Sequence, residues 1–228
     1  MAVVASLAVT GLSACRSEPA VAAYIGDTKI TEKRVQEVWD DARAALGGQA
    51  AMPITRADVV GVLVSRELID VVAQRHNVTP PADLTYDKIA GLLRLPAKTE
   101  YVRLFVQYSA LQYAIEQTIT NVPALTEDDL KDIYQRLVRN QAFEESSNPF
   151  DAFKGTLTED VAKNLAAGVA LREELEEVSG PLDVTVNPRY QPIELGVYGI
   201  QNDETQPVYQ IIAAQVGGNA SVPVSDVS

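Results

Sequence analysis

The sequence predicts a predominantly helical α+β domain, and three observations lead there. Between residues 31 and 180, apolar side chains recur every three or four positions, in runs separated by Gly and Pro. After Pro181 the pattern changes to alternating and β-branched runs, "LDVTVNP", "IELGVYGI" and "VYQIIAAQV". Before the helices, "AAYIGDTKIT" reads as a small hairpin turning on Gly26-Asp27. The expectation is about six helices plus a small sheet formed from the N-terminal hairpin and the C-terminal strands. A lone hairpin is marginal in water and each strand set exposes unpaired edges, so the economical topology brings the last strands back to the first.

Each element has a local reason. Residues 22–30 make the hairpin, with Gly26 supplying the positive φ that a type II′ turn needs at its first position. Thr31 is the N-cap of a first helix whose apolar face carries Val35, Val38, Trp39, Ala42 and Leu46, and Gly47-Gly48 ends it. Thr55 with Asp58 reads as a capping box opening a second helix. Apolar residues from Val59 to Val72 occupy nearly every side of it, so it should be central and held by packing rather than propensity. A shorter helix is expected over 84–93. After Pro96 a long one is expected over 100–120, with a stripe of Leu104, Phe105, Tyr108, Leu111, Ile115 and Ile119. Thr126 caps the next, with acids first and Lys131 and Arg136 later, matching the helix dipole; its apolar face is Leu130, Ile133, Tyr134 and Leu137. "ESSNPF" reads as a break, and Thr158 opens a final helix ending at Gly180-Pro181.

Composition excludes several functions. The chain of 228 residues carries a formal net charge of −12, which disfavours binding to a phosphate backbone or to anionic headgroups. One cysteine, Cys15, allows no internal disulfide. One histidine, His76, leaves no pair with zinc-ligand spacing. No P-loop, G-x-G-x-x-G or G-x-S-x-G motif occurs. No cofactor and no enzymatic activity are expected. His76, at the end of the second helix, reads as a cation favoured by the dipole rather than a general base or pH sensor. "TEDD" (126–129) reads as helix-capping acids and "REELEE" (172–177) as a solvated face. On the long helix Tyr113 lies off the buried stripe and is the surface candidate for contact with a client or partner. Asn187-Pro188-Arg189-Tyr190 reads either as a strand exit or as a recognition turn, in which Arg189 and Tyr190 would touch a partner. Asn219-Ala220-Ser221 is formally a glycosylation sequon.

The first fifteen residues, "MAVVASLAVTGLSAC", are an uncharged apolar run too short to span a bilayer. They resemble a bacterial lipoprotein signal, with Leu12-Ser13-Ala14-Cys15 matching the lipobox, although no Lys or Arg precedes the run. The resemblance implies cleavage before Cys15, a lipid on its sulfur, and a chain anchored on the outer face of the cytoplasmic membrane. The expected organisation is a signal peptide over 1–14, a lipidated tether over 15–21, a domain over 22–214 and a flexible tail over 215–228.

"VAAYIGDTKITEKRVQE", through Val21, Ile25, Gly26, Ile30 and Thr31, resembles the opening of SurA-type N-terminal chaperone domains. "DVTVNPRY", 183–190, resembles the strand that follows their helical region. The likeness covers roughly residues 21–195 and lies in pattern and order. It implies an envelope chaperone module that holds unfolded or partly folded exported polypeptides in an apolar groove. Many relatives insert a parvulin isomerase domain before the returning strand. Here the stretch between Leu125 and Val184 reads as helices and contains no His or Cys, so that activity is not implied. The alternative role is a non-catalytic scaffold or accessory subunit of an envelope complex.

Overall fold

Seven helices and two small antiparallel sheets make up the residues described by the computed structural model, namely 19–47, 51–119, 122–201 and 208–217. Strands β1 (Val21–Ile25) and β2 (Thr28–Thr31) form the opening hairpin, and Gly26 takes φ 57° in its two-residue turn. Helix α1 (Glu32–Ala45) starts where the Thr31 hydroxyl accepts the Arg34 N–H at 3.1 Å. Helix α2 (Arg56–Arg75) opens on the expected capping box: Thr55 N–H donates to Asp58 Oδ2 at 2.6 Å, and Asp58 N–H donates to Thr55 Oγ1 at 3.1 Å. Helix α3 (Tyr86–Leu93) ends at Arg94 in the left-handed conformation, and α4 (Glu100–Glu116) stops short of the expected end at residue 120. Helix α5 (Glu127–Arg139) has a second capping box, Thr126 with Asp129.

Helix α6 (Phe150–Thr156) corrects the reading of "ESSNPF" as a simple break. At seven residues it is under two turns and shows no repeat in the sequence. It forms because Phe150 and Phe153 pack edge-on and tilted against Tyr134 of α5, with centroids at 5.5 and 5.6 Å. Helix α7 (Glu159–Ser179) is followed by β3 (Thr185–Val186), a 3-10 turn over Pro188–Tyr190, β4 (Ile193–Ile200) and β5 (Tyr209–Val216). The elements of the described residues run from Val21 to Val216.

The strands return only in part. β3 pairs with β1, Ala23 opposite Val186 and Tyr24 opposite Thr185, giving the order β2-β1-β3. β4 and β5 pair with each other in a separate sheet that lies across α2, α5 and α7. Two bonds lock the return: Gly26 N–H to Leu182 O at 2.5 Å, and Asn187 N–H to Ala22 O at 2.8 Å. Beside them Glu32 accepts the Tyr190 hydroxyl at 2.6 Å and pairs with Arg189 at 2.5 Å.

The core is organised around α2. Val59, Val60, Val64, Leu68, Ile69 and Val72 are all inaccessible to solvent and lie on every side of its axis. Helices α1, α4 and α7 pack on it, as do the edges of both sheets. On α4 the buried arc is Tyr101, Val102, Val106, Tyr108, Leu111 and Ile115, turned from the expected stripe so that Leu104 and Phe105 are only half-buried. Arg136 is 5% exposed; it pairs with Asp132 at 3.1 Å and with Glu194 of β4 at 2.9 Å, which satisfies a buried guanidinium.

Leu68→Ala should leave a cavity that the surrounding helices cannot close, lowering unfolding free energy in urea by roughly 2–5 kcal/mol. Burial first, and then the hydrogen bond to Glu32, push the Tyr190 phenol up to about 12. A raised phenol pKa contributes stability that is complete below the ordinary value of 10.0 and is lost as the pH rises through the folded value. Tyr190→Phe should cost about 1 kcal/mol at neutral pH. It should also flatten the fall of unfolding free energy between pH 10 and 12 in a denaturant series.

Candidate functional site

Helix α4 presents Tyr101, Phe105, Tyr108, Gln112 and Glu116 along one face, spaced by four, three, four and four residues. At 1.5 Å per residue that row is ~22 Å long. It forms one wall of a groove of about 620 Å³ whose other walls come from α3, through Ile89 and Leu93, from β4 and β5, through Val197 and Gln210, and from Val208 just before β5. A second hollow of about 250 Å³ shares Tyr101, Phe105 and Tyr108 and runs on toward Pro192 and Ile193.

The sheet side of the groove depends on two glycines. A Cβ on Gly196 would lie 2.5 Å from the Gln210 side chain, and one on Gly199 would lie 2.6 Å from Val208 Cγ1. Both positions therefore let the side chains of Val208 and Gln210 lie close across β4, where any larger residue would displace them. The register of the pair shifts between Gly196 and Tyr198, which turns carbonyls of β4 toward α4. Tyr108 donates its hydroxyl to Gly196 O at 2.8 Å, and Gln112 donates Nε2 to Val197 O. These two bonds fix the separation of helix and sheet, and so the width of the groove. Burial raises the hydroxyl pKa of both Tyr101 and Tyr108, so both stay neutral.

Two side chains stand out. Tyr113 is 65% exposed at the mouth, the largest exposure among the big apolar residues described. Glu116, half-buried on the groove wall, accepts a hydrogen bond from Gln112 Nε2 at 3.2 Å. Loss of solvent raises its carboxyl pKa, with the Gln112 bond opposing in part, and no cation among the described residues pairs with it.

The sequence-predicted residues are divided between this groove and other places. Tyr113 lines it. Tyr190 is 7% exposed and lies with Arg189 in the seam that closes the first sheet, where both engage Glu32. Arg189 also keeps about half of its side chain in solvent. Cys15 and Asn219 lie outside the described residues. His76 caps the C-terminus of α2 and has a partner for each ring nitrogen, Glu174 Oε2 at 2.7 Å and Thr118 Oγ1 at 3.0 Å, tying α2 to α7 and to the turn that follows α4. The solvated face expected at 172–177 is instead a row of ties. Arg172 reaches Asp129, Glu174 reaches His76, Glu177 reaches Arg75, and Glu176 accepts the Gln215 N–H. Among the described residues no group of three or more His, Cys, Asp or Glu is placed to hold a metal ion, and no helix is long and apolar enough to cross a membrane.

Glu116 and Gln112 have no signal in the sequence. They read as ordinary polar positions of a helix until β4 is laid beside them.

A carboxyl whose pKa is raised on folding favours the folded state at low pH, and that contribution is lost as the pH rises through the folded value. Glu116→Gln should therefore melt higher than the native chain at pH 7, and the difference should close as the pH falls below the ordinary value of 4.5. Calorimetry across that range checks it.

Comparison with family models, with curated proteins and with solved structures gave no match.

Proposed function

We propose that this chain is an extracytoplasmic, lipid-anchored holdase: it takes exposed apolar segments of unfolded exported polypeptides into the groove beside α4 and releases them without chemistry. The observation that carries the reading is the groove itself. It is open, long enough for several residues of extended chain, lined by Tyr, Phe, Ile, Leu and Val, and has an exposed Tyr113 at its mouth. Its aromatic and aliphatic side chains, set among Asp58, Arg94, Ser109, Gln112, Glu116 and Gln210, bind apolar segments by burial, which is tolerant of sequence. The SurA-like order of elements supports the same reading: an opening hairpin, a helical body and a strand that returns to the hairpin. The lipobox-like Leu12-Ser13-Ala14-Cys15 supports attachment to the membrane through Cys15.

The test is fluorescence anisotropy of a labelled, reduced and alkylated polypeptide that cannot fold, titrated with the full chain, against the same label on a natively folded protein. The expected result is binding at roughly 1–10 μM to the unfolded probe only. Tyr113→Ala, at a side chain 65% exposed, should weaken it about three- to tenfold. Absence of binding to the unfolded probe at tens of micromolar overturns the holdase and leaves the scaffold role, to be pursued by cross-linking to a single folded partner.

A further inference from the structure

From the Glu116 carboxylate and the Tyr113 ring at the mouth of the α4 groove, we infer that the groove selects extended apolar segments that carry a Lys or Arg at one end. The inference rests on the holdase reading and adds the class of segment to it.

Charge complementarity carries the argument. Among the charged groups on the groove wall, Asp58 is held in the capping box of α2, its carboxylate accepting from both Thr55 N–H and Thr55 Oγ1. In the adjoining hollow Glu194 is paired with Arg136. Arg94, on the wall opposite α4, is engaged with a partner of its own and is not among the groups acting on Glu116. Among the described residues no cation pairs with Glu116, which, unlike Asp58, is not held in a helix cap, and its hydrogen bond comes from a neutral amide. Gln112 is itself bonded to Val197 O, so the amide that supports the carboxylate is fixed to the sheet, and the carboxylate is held on the wall rather than free to turn to water. A half-desolvated carboxylate without a counter-ion raises the energy of the free protein, and an incoming cation removes that cost.

Tyr113 lies three residues before Glu116, one turn away on the same side of α4. An exposed aromatic ring next to a carboxylate is a subsite for an alkylammonium or guanidinium, through the ring face as well as the charge. Beyond it the row back to Tyr101 is apolar and aromatic apart from Gln112, and its ~22 Å accommodates about seven residues of extended chain. A basic residue therefore belongs at the Glu116 end of the segment. The chain's net charge of −12 adds a long-range attraction for such segments.

The experiment compares two labelled heptapeptides, identical and apolar except for a terminal Lys that is free in one and acetylated in the other, each titrated with the full chain at low salt. The free-Lys peptide should bind about five- to tenfold tighter. In Glu116→Gln the ratio should fall below about twofold, while Glu67→Gln, an exposed acid that lines no part of the groove, should keep it. Equal binding of the two peptides to the native chain, or a ratio that survives in Glu116→Gln, overturns the selectivity and leaves the holdase intact. If neither peptide nor the unfolded polypeptide binds, both readings fall together.

Discussion

Helix α2 buries all but a narrow stripe of its surface, and the rest of the molecule is arranged around that constraint. Its valines and isoleucines are middling helix formers, so the helix exists because neighbours enclose it. Its polar groups are the Thr55–Asp58 box and His76 at its ends and a stripe through Arg66, Glu67, Asp70 and Gln74. Enclosing it takes α1, α4 and α7 together with the edges of two sheets, which is why a mostly helical chain carries strands at both ends. The groove follows from the same arrangement. With Val102 and Val106 in the core, the adjacent face of α4 turns toward α3 and the β4–β5 pair, which approach without closing on it.

Much of this was legible in the sequence wherever the controlling physics is local. Thr31, Thr55, Thr126 and Thr158 each cap the helix they were expected to cap, because a hydroxyl three residues before a free N–H is enough. The extensive burial of α2 was visible as apolar residues on nearly every side between Val59 and Val72. What was not legible depends on neighbours distant in sequence. The arc of α4 is set by three packing surfaces at once, so Phe105 left the core and Tyr101 entered it. The pairing of β4 with β5, rather than with the first sheet, is a choice between two partners of similar alternation. Helix α6 is too short to show a period.

The candidate site divides the same way. Tyr113 could be found because it falls off an apolar stripe. Glu116 could not, since its burial and its supporting amide both come from β4. Residues 172–177 look like a solvated face by composition, yet their charges are distributed to partners on α5, the end of α2 and β5. Arg189 and Tyr190 illustrate the opposite case. An aromatic and a cation beside a proline have the composition of a recognition turn, and here the same chemistry holds the molecule's own first helix through Glu32.

The closing seam also sets an order of events. Asn187 donates from its side chain to Val21 O across 166 positions of sequence. As the chain is made from its N-terminus, β1 is synthesised first and its outer partner almost last. At ribosomal rates of 5–20 residues per second that interval is roughly ten to thirty seconds. For that time the outer edge of β1, with its run of apolar residues, has no mate. The helical body can condense around α2 through nearer contacts, but the strand that begins the domain must wait for the one that completes it. The first sheet thus cannot be completed before the chain reaches Val186, wherever the chain folds.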